Sequence, residues 1–250
     1  FMIFINKVFL DDKNFSKNLI GDLLIKNNKV NSLKLTSDFE NNGKFKIEVK
    51  TLKNKKKTTS FYSDNAEPFV KHFSFIKGFK EGRIDFFSVK EKDHSNSTLN
   101  IYDFKIKKMP ALTKLLSLAS LQGIADVMTG EGIRFNEFDM KFSNDKKLMT
   151  IDEIYAIGPA ISVMMEGYVQ KDKLVSLKGT LVPATTLNKV IGSIPFLGKI
   201  LVGNKVGEGV FGVSFKIKGP PKKTKTTVNP IKTLTPRFIT RTLEKIKDQN

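Results

Sequence analysis

The chain has 250 residues, 40% of them hydrophobic, with a formal net charge of +18, two histidines, and neither cysteine nor tryptophan. Its length and apolar content suffice for a sizeable core, and the absence of cysteine excludes disulfides, thiol catalysis and cysteine-based metal sites. So basic a surface favours anionic partners, either nucleic acid or acidic lipid headgroups, although a composition rich in Lys and Asn raises the charge by itself.

From the start to about residue 63 the pattern is strand after strand. The run Lys44, Phe45, Lys46, Ile47, Glu48, Val49, Lys50 alternates without a fault, giving one apolar and one charged face. Residues 21–35 read as a hairpin turning at Asn27 and Asn28. A short helix is expected over about residues 66–77, entered through Glu67 and Pro68 and carrying Phe69, Val70, Phe73 and Ile76 on one side. Strands then resume with Ile84 and Phe86, and again with Tyr102, Phe104 and Ile106.

Residues 110–129 are the most apolar stretch, with Leu112, Leu115, Leu116 and Leu118 among its leucines. About 20 helical residues reach roughly 30 Å, the thickness of a bilayer core. Lys114, Gln122, Gly123 and Asp126 interrupt it, however, so a helix packed on a sheet or lying at a membrane surface is expected instead. Further strands carry Phe138, Met140 and Phe142, then Val163 and Met165, then Val175 and Leu177.

Residues 183–202 predict two short greasy helices. Pro183 suits a first helical turn, Leu187, Val190, Ile191 and Ile194 share one face, and beyond Pro195 come Phe196, Leu197, Ile200 and Leu201. A strand with Val213, Phe215 and Ile217 follows. The tail predicts a basic amphipathic helix over about 236–248, with Phe238, Ile239, Leu243 and Ile246 opposite Arg237, Arg241, Lys245 and Lys247. It is either a membrane-surface helix or one packed across a sheet end.

No catalytic constellation emerges, and the chain reads as a non-enzyme. Gly207, Gly209 and Gly212 have the dinucleotide-binding spacing but open a strand rather than a helix. Asp152 and Glu153 are adjacent, so in a strand they point to opposite faces. His72 and His94 have no serine, carboxylate or second histidine at a working spacing. Neither cofactor nor metal is expected.

Several motifs in order carry a resemblance: Ser117 to Gly123, Gly130-Glu131-Gly132-Ile133-Arg134-Phe135, Gly158-Pro159-Ala160, Gly179-Thr180-Leu181-Val182-Pro183-Ala184, Gly207-Glu208-Gly209-Val210-Phe211, Gly219-Pro220 and Val228-Asn229-Pro230. Together they resemble the C-terminal domain of AsmA-like envelope proteins, relatives of TamB and YhdP, over about residues 60–240. The resemblance implies a mainly β fold with a few helices: an elongated, curved, largely antiparallel sheet forming an apolar groove. Residues 1–230 would be a single groove domain and 231–250 its helical tail. It also implies a periplasmic location in a Gram-negative envelope, an inner-membrane anchor upstream of Phe1, and phospholipid carried between the two membranes.

Such a groove would be lined by Phe45, Ile47, Val49, Ile84, Phe86, Phe104, Ile106, Phe138, Met140, Phe142, Val163, Met165, Val175, Leu177, Val213, Phe215 and Ile217. Leu115, Leu116, Leu187, Ile191, Ile194, Phe196, Leu197, Ile200, Leu201, Arg237, Phe238, Arg241 and Lys245 would cap it or touch a membrane. Phospholipid, a membrane surface and other envelope proteins are the implied partners, with a bound phospholipid or fatty acid the only implied ligand. Exposing one acyl chain of about 16 carbons to water costs on the order of 13 kcal/mol, so a protein that shields it needs no catalyst. Two other readings stand beside this one. One is a basic β protein binding single-stranded nucleic acid through aromatics such as Phe45, Phe61 and Tyr62; the other is a purely structural envelope scaffold.

Overall fold

The computed structural model describes residues 1–70, 77–118, 124, 130–183, 212–221, 223–231, 238, 240, 241 and 244. Among them, 13 strands form one antiparallel sheet in strict sequence order, curled but unclosed. β1 (Met2–Phe9), β2 (Phe15–Lys26), β3 (Lys29–Asp38), β4 (Lys44–Thr51) and β5 (Lys57–Ser63) precede helix α1 (Glu67–Val70). The long hairpin of β6 (Lys77–Glu91) and β7 (His94–Lys108) leads to helix α2 (Pro110–Leu118). β8 (Ile133–Asp145), β9 (Leu148–Ile157), β10 (Ile161–Gln170), β11 (Leu174–Pro183), β12 (Gly212–Gly219) and β13 (Lys225–Ile231) complete the sheet.

Tight turns explain why each strand pairs with the next. Asn27 and Asn28, with φ of 50° and 55°, join β2 to β3. A two-residue hairpin turn needs left-handed backbone at both positions, and asparagine tolerates it at small cost. Directly opposed residues in an antiparallel pair share a face, so each register propagates face identity to the next strand. Irregular positions keep the apolar side chains aligned where simple alternation fails. Asp103, at φ 53°, interrupts β7; Ile101 and Phe104, three residues apart, thereby reach one core cluster.

We call inner the face on which the helices pack. There Val70 of α1 and Leu112, Leu115 and Leu116 of α2 join Ile84, Ile101, Phe104, Ile133, Val163, Leu181 and Val213 in the main core. Helix α2 also reaches β13, the far edge of the sheet, as a curl about this face requires. The outer face is polar over most of its width. One apolar patch on it lies under the C-terminal segment, where Phe238, Thr240, Arg241 and Glu244 are helical. Phe238 is 0% exposed and clusters with Tyr155, Met164 and Val182.

Several expectations are corrected. Lys77 belongs to β6, not to the helix expected over 66–77; residues 71–76 lie outside the described ones. Gly78 and Gly82 sit inside β6 at φ of 68° and 87°. Pro183, expected to open a helix, is instead the last residue of β11 and pairs with Ile161. Proline is tolerated at a strand end, where one ladder hydrogen bond can be forgone. Leu187, Ile191, Ile194, Phe196, Leu197, Ile200 and Leu201 lie outside the described residues, as do Arg237 and Lys245.

Phe238 and Arg241 were expected at a membrane or over the groove, and the structure uses them otherwise. Phe238 packs edge-on to the Tyr155 ring on the outer face, with centroids 6.1 Å apart. The Arg241 guanidinium meets Asp139 at 3.3 Å, Glu153 at 2.9 Å and Glu244 at 3.2 Å. Burial alone would weaken its charge, but the hydrogen bond to Glu244 and the charges of Glu153 and Asp139 outweigh that, so its pKa is raised. Burying the ring and neutralising the cation tie this segment to β8–β11. Phe238→Ala is therefore expected to destabilise the protein by about 3–5 kcal/mol, read from the urea midpoint.

Candidate functional site

The register brings every residue assigned to the expected groove onto the inner face. One row runs across the strands through Leu35, Ile47, Phe61, Phe86, Leu99 and Met140. It continues through Ile154, Met165, Gly179, Phe215 and Val228. On one side of it lies the row of Phe45, Ile84, Phe138, Val163 and Val213; on the other lie Val49, Phe142, Leu177 and Ile217. Val175 follows Leu177 two residues earlier on β11 and so shares its face.

Glycine interrupts the central row at residue 179, and the gap is filled from the neighbouring strand. A Cβ at Gly179 would stand 2.6 Å from the Cζ of Phe215 and 2.3 Å from the Met164 carbonyl oxygen. The Phe215 ring thus lies over the glycine and keeps the row apolar.

Burial is graded along the strands. At the end beneath α2, Phe79, Phe104 and Phe135 stack with centroids 5.2 and 5.4 Å apart, and Ile106 and Ile133 are buried beside them. Leu115 and Leu116 are buried over this end. Toward the other end Ile47, Val49, Phe86, Met140, Phe142, Met165, Val175, Leu177 and Ile217 are only half-buried. A second cluster extends the apolar face to β1: Leu19, Phe39 and Phe45 pack with Ile3, Val8 and Phe69. Phe69 of α1 stands edge-on to Phe61 at 4.7 Å and to Phe45 at 6.0 Å.

Sequence reasoning missed Leu35, Phe61, Leu99, Ile154 and Val228 as members of the central row. Alternation with Leu33 could have found Leu35. Phe61 lies in a run of Thr, Ser and Tyr that shows no apolar period. Ile154 is displaced from Ile151 by the irregularity opposite Lys141 and Phe142.

The outer face is chemically different. At one edge, Lys7 Nζ sits 3.8 Å from the Phe15 ring centroid and 4.8 Å from that of Phe9. Arg83 lies over Tyr102 at 4.6 Å. Glu81 receives a 2.8 Å bond from Arg134 Nη2 and faces Lys105 at 3.6 Å. Partial burial pushes its carboxyl up, but the Arg134 hydrogen bond and the two cations outweigh this and hold it below the usual range. Asp64 is also held low, first by the Tyr62 hydroxyl that donates to it; burial opposes the shift and a 2.8 Å bond from the Lys44 amide reinforces it. Among the described residues no cluster could hold a metal ion, and no helix is long and apolar enough to cross a membrane. His94 is exposed at the start of β7, 3.2 Å from the Asn96 side-chain oxygen, and His72 lies outside the described residues.

Both depressed carboxyls are ionised in the fold at a pH where the unfolded chain would protonate them. Their stabilisation is present above the unfolded pKa and is lost as pH falls through the folded one. The urea midpoint should therefore fall on acidification from about pH 4.5 to about pH 3, and fall less in Glu81→Gln. Comparison with protein-family models, curated proteins and solved structures returns no match for this chain.

Proposed function

We propose that the chain is a non-enzymatic lipid-holding protein of the AsmA-like kind, whose inner face is an apolar groove that shields phospholipid acyl chains in the periplasm. The observation that carries this reading is the central row from Leu35 to Val228, one apolar position after another across β3 to β13 with Phe215 filling the one glycine gap. Neighbouring strands stand about 4.8 Å apart, so the ten spacings from β3 to β13 give the row a path of roughly 48 Å.

Graded burial supports the same reading. Helix α2 seals one end of the strands over Leu115 and Leu116, while Ile47, Phe86, Met140 and Met165 keep exposed apolar surface along the rest. Each methylene withdrawn from water there contributes about 0.8 kcal/mol, and a headgroup can stay wet at the open rim. The net charge of +18 adds attraction to an anionic leaflet. Within this reading the helices expected over 183–202 would cover the groove or touch a membrane.

A nucleic-acid reading is favoured by the outward pairs of cation and aromatic ring, Lys7 and Lys17 with Phe9 and Phe15, and Arg83 with Tyr102. These pairs stand apart on β1–β2 and β6–β7, whereas the apolar row crosses nearly the whole sheet. Native mass spectrometry of the chain purified with mixed phospholipid is expected to show bound phospholipid. Met140→Asp and Met165→Asp should abolish the adduct, and Tyr168→Asp, on the opposite face, should leave it intact. Absence of any lipid adduct, or its survival in both inner-face variants, contradicts the groove.

A further inference from the structure

The outer face of β3 to β7 holds a cavity of about 460 Å³, within the ordinary range for a small-ligand site. Its floor is the backbone of the Leu35, Ile47, Phe61 and Phe86 row, whose side chains turn to the other face. Its banks are the two flanking rows of outward side chains, with Tyr62, Asp85 and Asn100 on one and Ser60, Phe87 and Thr98 on the other. The result is a trough that crosses the strands. Four strand spacings make it about 19 Å long.

The lining mixes charge, hydrogen-bonding groups and apolar surface. Lys34 and Lys46 stand beside Glu48 and Asp85, with Lys50 bridged to Glu48 at 2.7 Å, so charges of both signs line the trough rather than a run of one sign. Hydroxyl, amide and carboxylate groups are interspersed with apolar surface there, so a ligand that fits presents both hydrogen-bonding groups and an apolar face. Phe87 stands 47% exposed between Ser60 and Thr98, a flat apolar platform with hydrogen-bonding groups on both sides.

Asp85 is the distinctive member. Desolvation pushes its carboxyl above the usual range; Arg83 opposes this and Asp64 adds to it. Its carboxylate makes no hydrogen bond or ion pair to the described residues. A desolvated carboxylate of this kind accepts several hydrogen bonds from a ligand that brings paired donors.

We propose that this trough binds a linear, uncharged oligosaccharide, with a sugar ring laid on Phe87 and its hydroxyls donating to Asp85. The hydroxyls of Ser60 and Thr98 would complete the recognition of a chain running across β3 to β7. The site lies on the face opposite the proposed lipid groove and does not rest on that reading.

Isothermal titration calorimetry of the full chain with cellotetraose and with tetra-N-acetylchitotetraose tests it. At least one should bind in the micromolar-to-millimolar range, with an affinity insensitive to salt. Phe87→Ala and Asp85→Asn should each weaken binding about tenfold or more. Because Asp85 has a raised pKa in the fold, the stability it contributes is present at low pH and lost as pH rises through that value. Asp85→Asn should therefore melt at or above the wild-type temperature at neutral pH even as it loses ligand. No binding of either saccharide, unchanged binding in both variants, or a lower melting temperature for Asp85→Asn would overturn the proposal. So would an oligonucleotide that binds with steep salt dependence and is lost on Phe87→Ala. Loss of saccharide binding leaves lipid adducts untouched, so the two readings fail separately.

Discussion

The shared face of opposed residues in an antiparallel ladder is the constraint on which the rest of the molecule depends. Among the described residues thirteen strands follow one another without a crossover, so the face assigned to one residue fixes the face of its partner, and of that partner's partner, across the sheet. A slip of one residue anywhere would turn the next strand's apolar set outward. The irregular positions at Asp103 and near Asp152 are therefore part of the design: each occurs where uncorrected alternation would have split the row. The same rule builds the outer trough, since the residues between those of the inner row form its two banks.

The two faces are stabilised by different physics. Inside, the stack of Phe79, Phe104 and Phe135 under Leu115 and Leu116 removes a large apolar area from water at one end of the strands. Outside, order comes from ion pairs and one docked segment. Exposed pairs such as Lys17–Glu40 and Lys178–Glu166 contribute little each. Arg241 is different because the residues of Asp139 and Glu153 are only 7% and 6% exposed, and Phe238 is wholly buried beside it. An unclosed sheet gains rigidity from being held on both faces.

Much of this was legible in the residues. The faultless alternation of Lys44 to Lys50, and the aromatic alternation of Tyr102, Phe104 and Ile106, announce strands with one apolar face, and the Asn27-Asn28 turn announces a hairpin. What escaped is what periodicity cannot carry. Phe61 and Ile154 belong to the row only through pairing partners far away in sequence. Pro183 looks like a helix start because its flanks do, yet pairing with Ile161 claims it for β11. The amphipathic tail showed a basic and an apolar side, but not that Tyr155 and two carboxylates wait for them on the outer face. The trough was invisible for the same reason: Asp85 and Phe87 become a site only when β3 to β7 align.

The most direct measurement is a photo-crosslinking map with benzoylphenylalanine placed at single positions in protein loaded with phospholipid. Met140, Met165 and Leu177 on the inner face are expected to give adducts of phospholipid mass, and Tyr168, Thr180 and Ser214 on the outer face none. Equal labelling of both faces, or none on either, would contradict an inner apolar groove that holds lipid.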